Sequence, residues 1–413
     1  MRFGDSHTRQ KGALQSPLTS FLKKYPSTFA IAAPYAIIVF PVAILNLNPD
    51  IGFIAFTAVL ALGPTVLIET IRKNNFKRFQ FESNARLYGR SLYRLAHIGV
   101  LTSSGVGVLA AVSGKGSVAV QAGLAAASGP FVIVDSITSG WVIISICFLC
   151  VAYAGGECSR REFIWVNFLA LLGAGIEVYL TAITAPFLEL VTFIFMLMLL
   201  MGNIKPKAAV AALICVLILW PLAFDIRNEA RSTSGLIVDA RVDANERLRF
   251  DKQIARAQEL DVPLSVEMDG YLQHPTIVDI LRYGIVPRFL DEGRDAVSTG
   301  VIINVALGGT KTSAFTFLPV ATIYVLEGPL FTLFWYALLA ISVGIVWRGG
   351  TRMTPMRILL MGLLLYGPLG WFSTYPDKMI GTLQVLISGI PFYLILIVIR
   401  IRRNSTKSGR PLV

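Results

Sequence analysis

The sequence predicts an all-α polytopic membrane protein with about ten transmembrane helices, one large extracytoplasmic loop and re-entrant segments. The first observation is composition: 54% of the residues are hydrophobic, 15% are charged and the mean hydropathy is +0.65, which is far from the average of soluble domains. The second is a series of apolar runs close to the ~20 residues that cross a bilayer. The third is one long polar stretch that interrupts this series.

The apolar runs give the predicted spans in order. They lie at 28–46, 51–70, 95–113, 138–155, 163–181, 187–202, 208–225, 329–347, 357–373 and 379–400. The chain therefore divides into an N-terminal tail (1–27), seven spans (28–225), the large loop (226–312), a re-entrant segment with three further spans (313–400), and a C-terminal tail (401–413). No cleavable signal peptide precedes the first span, so we expect that helix to remain in the protein.

Basic residues in the short loops predict the orientation, because loops rich in Lys and Arg are retained in the cytoplasm. Such loops occur at the N-terminus, at 72–94, 160–161, 205–207 and 348–357, and in the tail after residue 400. They alternate with ten spans only if both termini are cytoplasmic and the 226–312 loop is outside. We read the net charge of +12 as this topology signal and not as a sign of nucleic-acid binding.

Two apolar stretches do not fit a simple alternation. Residues 117–135 are rich in Gly, Ala and Ser, and counting them as a span would move Arg160 and Arg161 outside. Ser313–Glu327 is too short to add a further span and too apolar for a plain loop. We expect both to be re-entrant or surface-lying pieces that border a cavity open to the outside, because non-spanning backbone at that depth needs protein or water around it.

Several function classes lack their motifs. The three histidines are far apart, no HExxH or carboxylate cluster has ligand spacing, and GxxxxGK[ST] is absent, so we predict neither a metal nor a nucleotide-driven step. The cysteines lie in or beside predicted spans, and the loop has none, which excludes a disulfide framework there. No cofactor is predicted.

Candidate functional residues concentrate in the loop and at its borders. Arg282, Arg288 and Arg294 recur at six-residue spacing beside Asp291, and Arg227 and Arg231 follow the seventh span. A guanidinium binds phosphate oxygens bidentately and stays charged, so these arginines fit a lipid-linked pyrophosphate. Salt bridges to the neighbouring acidic residues are the competing explanation, and the local sequence does not decide between them.

A resemblance bears on that choice. One segment of the loop resembles the segment that closes the large loop of O-antigen polymerases of the Wzy type and related exopolysaccharide repeat-unit polymerases. It is Ile285-Val286-Pro287-Arg288-Phe289-Leu290, followed by Asp291 and Arg294. Lys205-Pro206-Lys207 before a span that ends in Asp225-Ile226-Arg227 is similar to that family's entry into the loop. Thr312-Ser313, Pro319, Tyr324, Glu327 and Gly328 are similar to its return segment. The likeness covers about residues 160–400, and Ala185-Pro186 stands where many relatives have an arginine.

The resemblance implies a glycosyl transfer between two polyprenyl-pyrophosphate-linked glycans on the outer face of a bacterial cytoplasmic membrane. Arg288, Arg282 and Arg294, with Arg227, Arg231 and Tyr324, are then the expected substrate-binding residues, and Asp291, Glu327 or His274 is the expected base. The implied partners are the lipid-linked oligosaccharides and the bilayer, with a chain-length regulator and a flippase as further candidates.

Two alternatives remain open at this point. An O-antigen ligase-like transferase shares the architecture and the pyrophosphate chemistry. A transporter or flippase is expected to show inverted repeats, paired broken helices and charges near the bilayer midplane, whereas here no repeat is evident and the charges gather in the loop.

Overall fold

A computed structural model gives the structure of this chain. It describes residues 17–72, 88–117, 120, 128–181, 183–205, 207–208, 211, 221–222, 224–225, 228–229, 249–264, 277–286, 290–291, 299–309, 318–347, 354–372 and 374–408. Within these ranges the regular secondary structure is helical throughout.

In the described residues up to 205, nine α-helices are present. They are α1 (Pro17–Lys24), α2 (Pro26–Pro34), α3 (Phe40–Leu45), α4 (Ile51–Ile71), α5 (Ser91–Val112), α6 (Pro130–Thr138), α7 (Trp141–Ala154), α8 (Arg160–Thr181) and α9 (Ala185–Met201). A π-helical segment, Tyr35–Val39, joins α2 to α3 and makes them one continuous span. The described part of the loop and the C-terminal region contribute α10 (Phe250–Ala255), α11 (Ile277–Ile285), α12 (Thr299–Ala306), α13 (Pro319–Val346), α14 (Pro355–Tyr366), α15 (Asp377–Ser388) and α16 (Ile390–Ser408).

Seven stretches of the described chain are long and apolar enough to cross a membrane, so the chain is a helical, multi-pass membrane protein. They are Pro26–Leu45, Ile51–Ile71, Ser91–Val112, Pro130–Ala154, Arg160–Thr181, Pro319–Val346 and Asp377–Ile401. Helices α9 and α14 are apolar but shorter, and most of the predicted span at 208–225 lies outside the described residues. The fourth stretch begins at Pro130, so residues 130–135, which the sequence places in a re-entrant or surface-lying piece, are part of a candidate span.

Helix pairs in the bundle place the loop helices at one end. Helix α13 packs along α4, and α5 packs against both α7 and α8. Helix α10 contacts α3 and α4, and α11 packs against α15. We call the end of the bundle that carries α10, α11 and α12 the loop end.

Helix α13 is broken at Gly328, which has φ 84° and ψ 174°. Only glycine adopts this region without a large penalty, and Pro329 begins the next helical turn. Val320 and Tyr336, on the two sides of the break, line the same small apolar pocket. In a straight helix these residues are separated by about 24 Å. The arm 319–327 therefore bends back towards the arm 329–346. Within the predicted piece Ser313–Glu327, the described residues 319–327 are helical and join the following candidate span.

A buried carboxylate joins the first two spans at the end opposite the loop. Glu69 on α4 is 2% exposed and accepts hydrogen bonds from the Ser27 backbone N–H, the Ser27 hydroxyl and the Thr28 backbone N–H. These are free donors of the first turn of α2, where the helix dipole also favours a negative charge.

Glu69→Ala is expected to lower the free energy of unfolding by about 2 kcal/mol, because it leaves buried donors without an acceptor. Unfolding of the purified protein in detergent, followed by tryptophan fluorescence, measures the change. Glu259→Ala is the control, since that side chain is 59% exposed. Equal stability of the two variants would contradict the capping role.

Candidate functional site

Polar side chains converge at the loop end on residues 374–378, which we call the hub segment. It includes the end of the connection between α14 and α15 and the first two residues of α15, and it has the sequence Thr-Tyr-Pro-Asp-Lys. Three of its side chains reach three different elements: Tyr375 bonds Glu327 on α13, Asp377 bonds Thr299 on α12, and Lys378 pairs with Glu189 on α9. The hub segment thus ties the loop helix α12 to two helices of the bundle.

Glu327 lies immediately before the break in α13. Its carboxylate accepts a hydrogen bond of 3.1 Å from the Tyr375 hydroxyl, and the Tyr375 backbone N–H donates to Thr322 Oγ1 at 3.3 Å. Burial, and then the adjacent Glu327 carboxylate, raise the pKa of Tyr375 above its usual value. Tyr375 is therefore protonated at neutral pH and is fixed as the donor of this bond.

Aromatic rings enclose this pair on one side. Trp335 stacks on Phe331, with ring centroids 6.1 Å apart, and its edge meets the Tyr375 ring at 5.6 Å. The Glu327–Tyr375 bond consequently sits beside apolar surface, which strengthens its electrostatic component relative to water.

Lys378 and Glu189 form a buried ion pair between α15 and α9. Their side chains are 13% and 14% exposed, and the Lys378 ammonium also lies 4.0 Å from the centre of the Tyr366 ring. Ionisable residues placed so deeply among membrane helices are costly and are candidates for function. Sequence analysis found neither Lys378 nor Tyr375, although five polar residues in the six from Ser373 to Lys378, between two apolar runs, were a readable signal.

Asp377 fastens α12 to the start of α15. It accepts hydrogen bonds from the Thr299 backbone N–H at 3.0 Å and from the Thr299 hydroxyl at 2.9 Å, and Thr374 donates to it at 3.2 Å. These bonds connect the loop to the hub segment directly.

Arg282 and Asp291 are the predicted loop residues that the structure brings together. They form an ion pair in which Arg282 is half exposed, whereas the Asp291 side chain is only 4% exposed. The guanidinium donates a hydrogen bond to Asp291. This bond, and then the negative charge of Asp291, raise the pKa of Arg282 above its usual value. Within the described part of the chain, Asp291 Oδ2 is buried and has no hydrogen-bond partner. Asp291 is thus arranged to orient Arg282.

Helix α11, which carries Arg282, packs against α15 beyond the hub segment. The Gln384 amide on α15 donates to the Tyr283 carbonyl at 2.9 Å. Gly284 allows the close approach of the two helices, because a Cβ there would come within 2.7 Å of the Leu383 side chain. Arg282 is therefore on a helix that packs against α15, while Glu327 bonds Tyr375 just before α15 begins.

Tyr324, predicted as a substrate contact, lies in the interface between α13 and α4. Its ring meets Phe53 and Phe56 edge-on at 5.5 and 6.1 Å, an arrangement that stabilises helix packing. Five other predicted site residues lie outside the described residues, so their roles stay predictions: Arg288, Arg294, Arg227, Arg231 and His274.

Across the described ranges, no group of three or more His, Cys, Asp or Glu side chains is placed to hold a metal ion. The chemistry that the described site offers is that of one carboxylate with a fixed donor, one oriented guanidinium and one buried ammonium. No protein-family model, no curated protein and no solved structure matches this chain.

Proposed function

We propose that this protein polymerises polyprenyl-pyrophosphate-linked oligosaccharide repeat units on the outer face of a bacterial cytoplasmic membrane. The observation that carries the proposal is the Glu327–Tyr375 pair, a carboxylate with a fixed donor at a break in a membrane helix, at the same end of the bundle as the exposed Arg282 guanidinium. Both substrates of such an enzyme are anchored in lipid and present their sugars at the membrane surface. A site at the loop end of a helical bundle meets that geometry.

The reaction requires one proton acceptor and one anion stabiliser. A hydroxyl of the incoming repeat unit attacks the anomeric carbon of the growing chain, a C–O bond forms, and the bond from that carbon to the pyrophosphate oxygen breaks. Glu327 takes the hydroxyl proton, which favours the attack as the bond forms. Arg282, together with Arg288 and Arg294, stabilises the charge that develops on the departing polyprenyl pyrophosphate.

The proposed location at the outer face of the membrane rests on the apolar stretches of the chain and on the distribution of its basic residues. The multi-pass character follows from the seven apolar stretches. An outward-facing loop with both termini in the cytoplasm is the orientation that the basic short loops favour. An O-antigen ligase-like transferase would use the same groups, and the acceptor that receives the chain separates the two activities.

One observation favours a transporter or flippase as the second candidate. Helix α13 is interrupted at Gly328. Broken helices at a substrate site are typical of transporters, so the experiments must separate transport from transfer.

Deletion of the gene in its source cell, followed by analysis of surface polysaccharide and lipid-linked intermediates, tests the function. Single repeat units that accumulate on the carrier, with loss of long chains, are the expected result. Long chains that remain on the carrier would identify a ligase. Repeat units confined to the inner leaflet, or an unchanged profile, would reject the polymerase.

In the complemented deletion strain, Arg288→Ala is expected to abolish chain extension while the variant still inserts into the membrane, because the leaving pyrophosphate loses a bidentate partner. Arg160→Ala, an exposed arginine at the opposite end of the bundle, is the control. Polymer of normal length from the Arg288 variant would remove this residue from the site.

A further inference from the structure

We propose that residues 262–264 form a strap that holds α13 broken at Gly328 and thereby couples the large loop to the position of Glu327. The strap is defined by Val262, Pro263 and Leu264, which follow the short helical stretch 250–259. The proposal concerns a conformational device and does not depend on the reaction assigned to the site.

The first step is the carbonyl that Pro329 leaves without a helical donor. In a continuous α-helix the N–H of residue 329 bonds the carbonyl of residue 325, but proline has no N–H. In this structure the Leu264 backbone N–H donates to the Val325 carbonyl at 2.8 Å. The loop residue Leu264 thus supplies the hydrogen-bond donor for the Val325 carbonyl that Pro329 cannot supply.

The second step is how the strap is seated. The Leu264 side chain packs against the hydrophobic core of the bundle. Val262 Cγ1 lies 3.9 Å from the position that a Cβ would occupy on Gly328. The strap therefore contacts the break itself as well as the carbonyl one turn earlier.

The third step is the anchor that fixes the strap to the bundle. Arg249 binds Asp251 through two hydrogen bonds of 2.8 and 3.0 Å, and it donates to Asn46 at 3.0 Å. Asn48 donates to Asp251 at 2.8 Å. Burial alone raises the pKa of Asp251, but the bonds from Arg249 and Asn48 outweigh it, and the pKa falls below its usual value. Asp251 is therefore ionised at neutral pH, and the anchor is intact.

These contacts define two coupled states. With the strap in place, the Val325 carbonyl is satisfied, α13 stays bent, and Glu327 faces Tyr375. When the strap leaves, that carbonyl has to find another donor in apolar surroundings or remain unsatisfied at a cost. A ligand that moves the loop consequently moves Glu327, and a change at Glu327 is felt in the loop, because such coupling is reciprocal.

Hydrogen exchange of the full chain in lipid nanodiscs, read by mass spectrometry at the Leu264 amide and at residues 324–330, tests the proposal. The double variant Gly328→Ala/Pro329→Ala restores an N–H at position 329 and removes the glycine that permits the break, so the helix competes for the Val325 carbonyl. We expect exchange at Leu264 to rise about fivefold, the effect of losing one backbone hydrogen bond. Pro355→Ala is the control, because Pro355 begins α14 and frees no helical carbonyl.

Asp251→Asn provides a milder, independent test that leaves α13 unchanged. It weakens the anchor, and the coupling predicts faster exchange both at Leu264 and at residues 324–330. Faster exchange at Leu264 alone would overturn the coupling. Unchanged exchange at Leu264 in the double variant would overturn the strap itself.

Discussion

Glu327→Gln is expected to reduce chain extension at least about 100-fold, because Glu327 is the general base of the proposed reaction and such a base contributes roughly 100- to 10,000-fold. The amide keeps the size of the side chain and still accepts the bond from Tyr375, so folding and membrane insertion are expected to remain normal. Chain extension is measured with purified protein in proteoliposomes and lipid-linked repeat units. Glu259→Gln, an exposed carboxylate of the loop, is the matched control.

Tyr375→Phe tests whether Tyr375 only positions the Glu327 carboxylate or also takes part in the proposed proton transfer. The variant removes the 3.1 Å hydrogen bond to Glu327 and leaves the carboxylate, so we expect a loss of about tenfold in kcat with little change in KM. A full-rate Glu327→Gln enzyme would exclude Glu327 as the base and return Asp291 to consideration. A Tyr375→Phe loss as large as that of Glu327→Gln would indicate that the tyrosine itself touches the substrate.

Composition and periodicity predicted the all-helical, multi-pass character of the chain because a bilayer imposes strong rules on it, whereas the count of ten spans stays a prediction beside the seven candidate spans of the described residues. Apolar runs of fixed length and an interrupting polar loop are visible without any tertiary information. The helices Ile51–Ile71, Ser91–Val112 and Arg160–Thr181 agree closely with the predicted spans. The fourth candidate span begins at Pro130, before the predicted residue 138, because residues 117–135 are weakly apolar and rich in small residues, which makes the boundary of a helix indistinct in the sequence.

The candidate site was predictable only in part. Glu327 was found because a carboxylate beside Gly328-Pro329 is conspicuous among apolar residues. Tyr375 and Lys378 were missed, since their significance comes from partners that are distant in sequence, at Glu327 and Glu189. Asp291 was read as a base, and its ion pair with Arg282 appears only when α11 is folded. Residues that act through tertiary contacts leave no periodic pattern.

Lys378→Met is expected to destabilise the protein by roughly 3 to 5 kcal/mol, the cost of leaving one member of a buried ion pair without its partner. The uncompensated charge is Glu189, whose side chain is 14% exposed. The loss of the ammonium also removes its contact with the Tyr366 ring. Unfolding in detergent micelles measures the change.

The double variant Glu189→Leu/Lys378→Met tests whether the buried ion pair serves only the packing of the helices or also the proposed reaction. Replacing both charges with apolar side chains of similar volume removes the desolvation cost, so stability is expected to return to about the value of the unaltered protein. If the pair serves only packing, chain extension returns with stability. We expect it not to return, because the Lys378 ammonium belongs to the hub segment at the loop end, where the leaving pyrophosphate is stabilised in the proposed reaction. Full activity in a stable double variant would reduce Lys378 and Glu189 to a structural pair and leave Arg282 and its loop neighbours as the anion-binding groups.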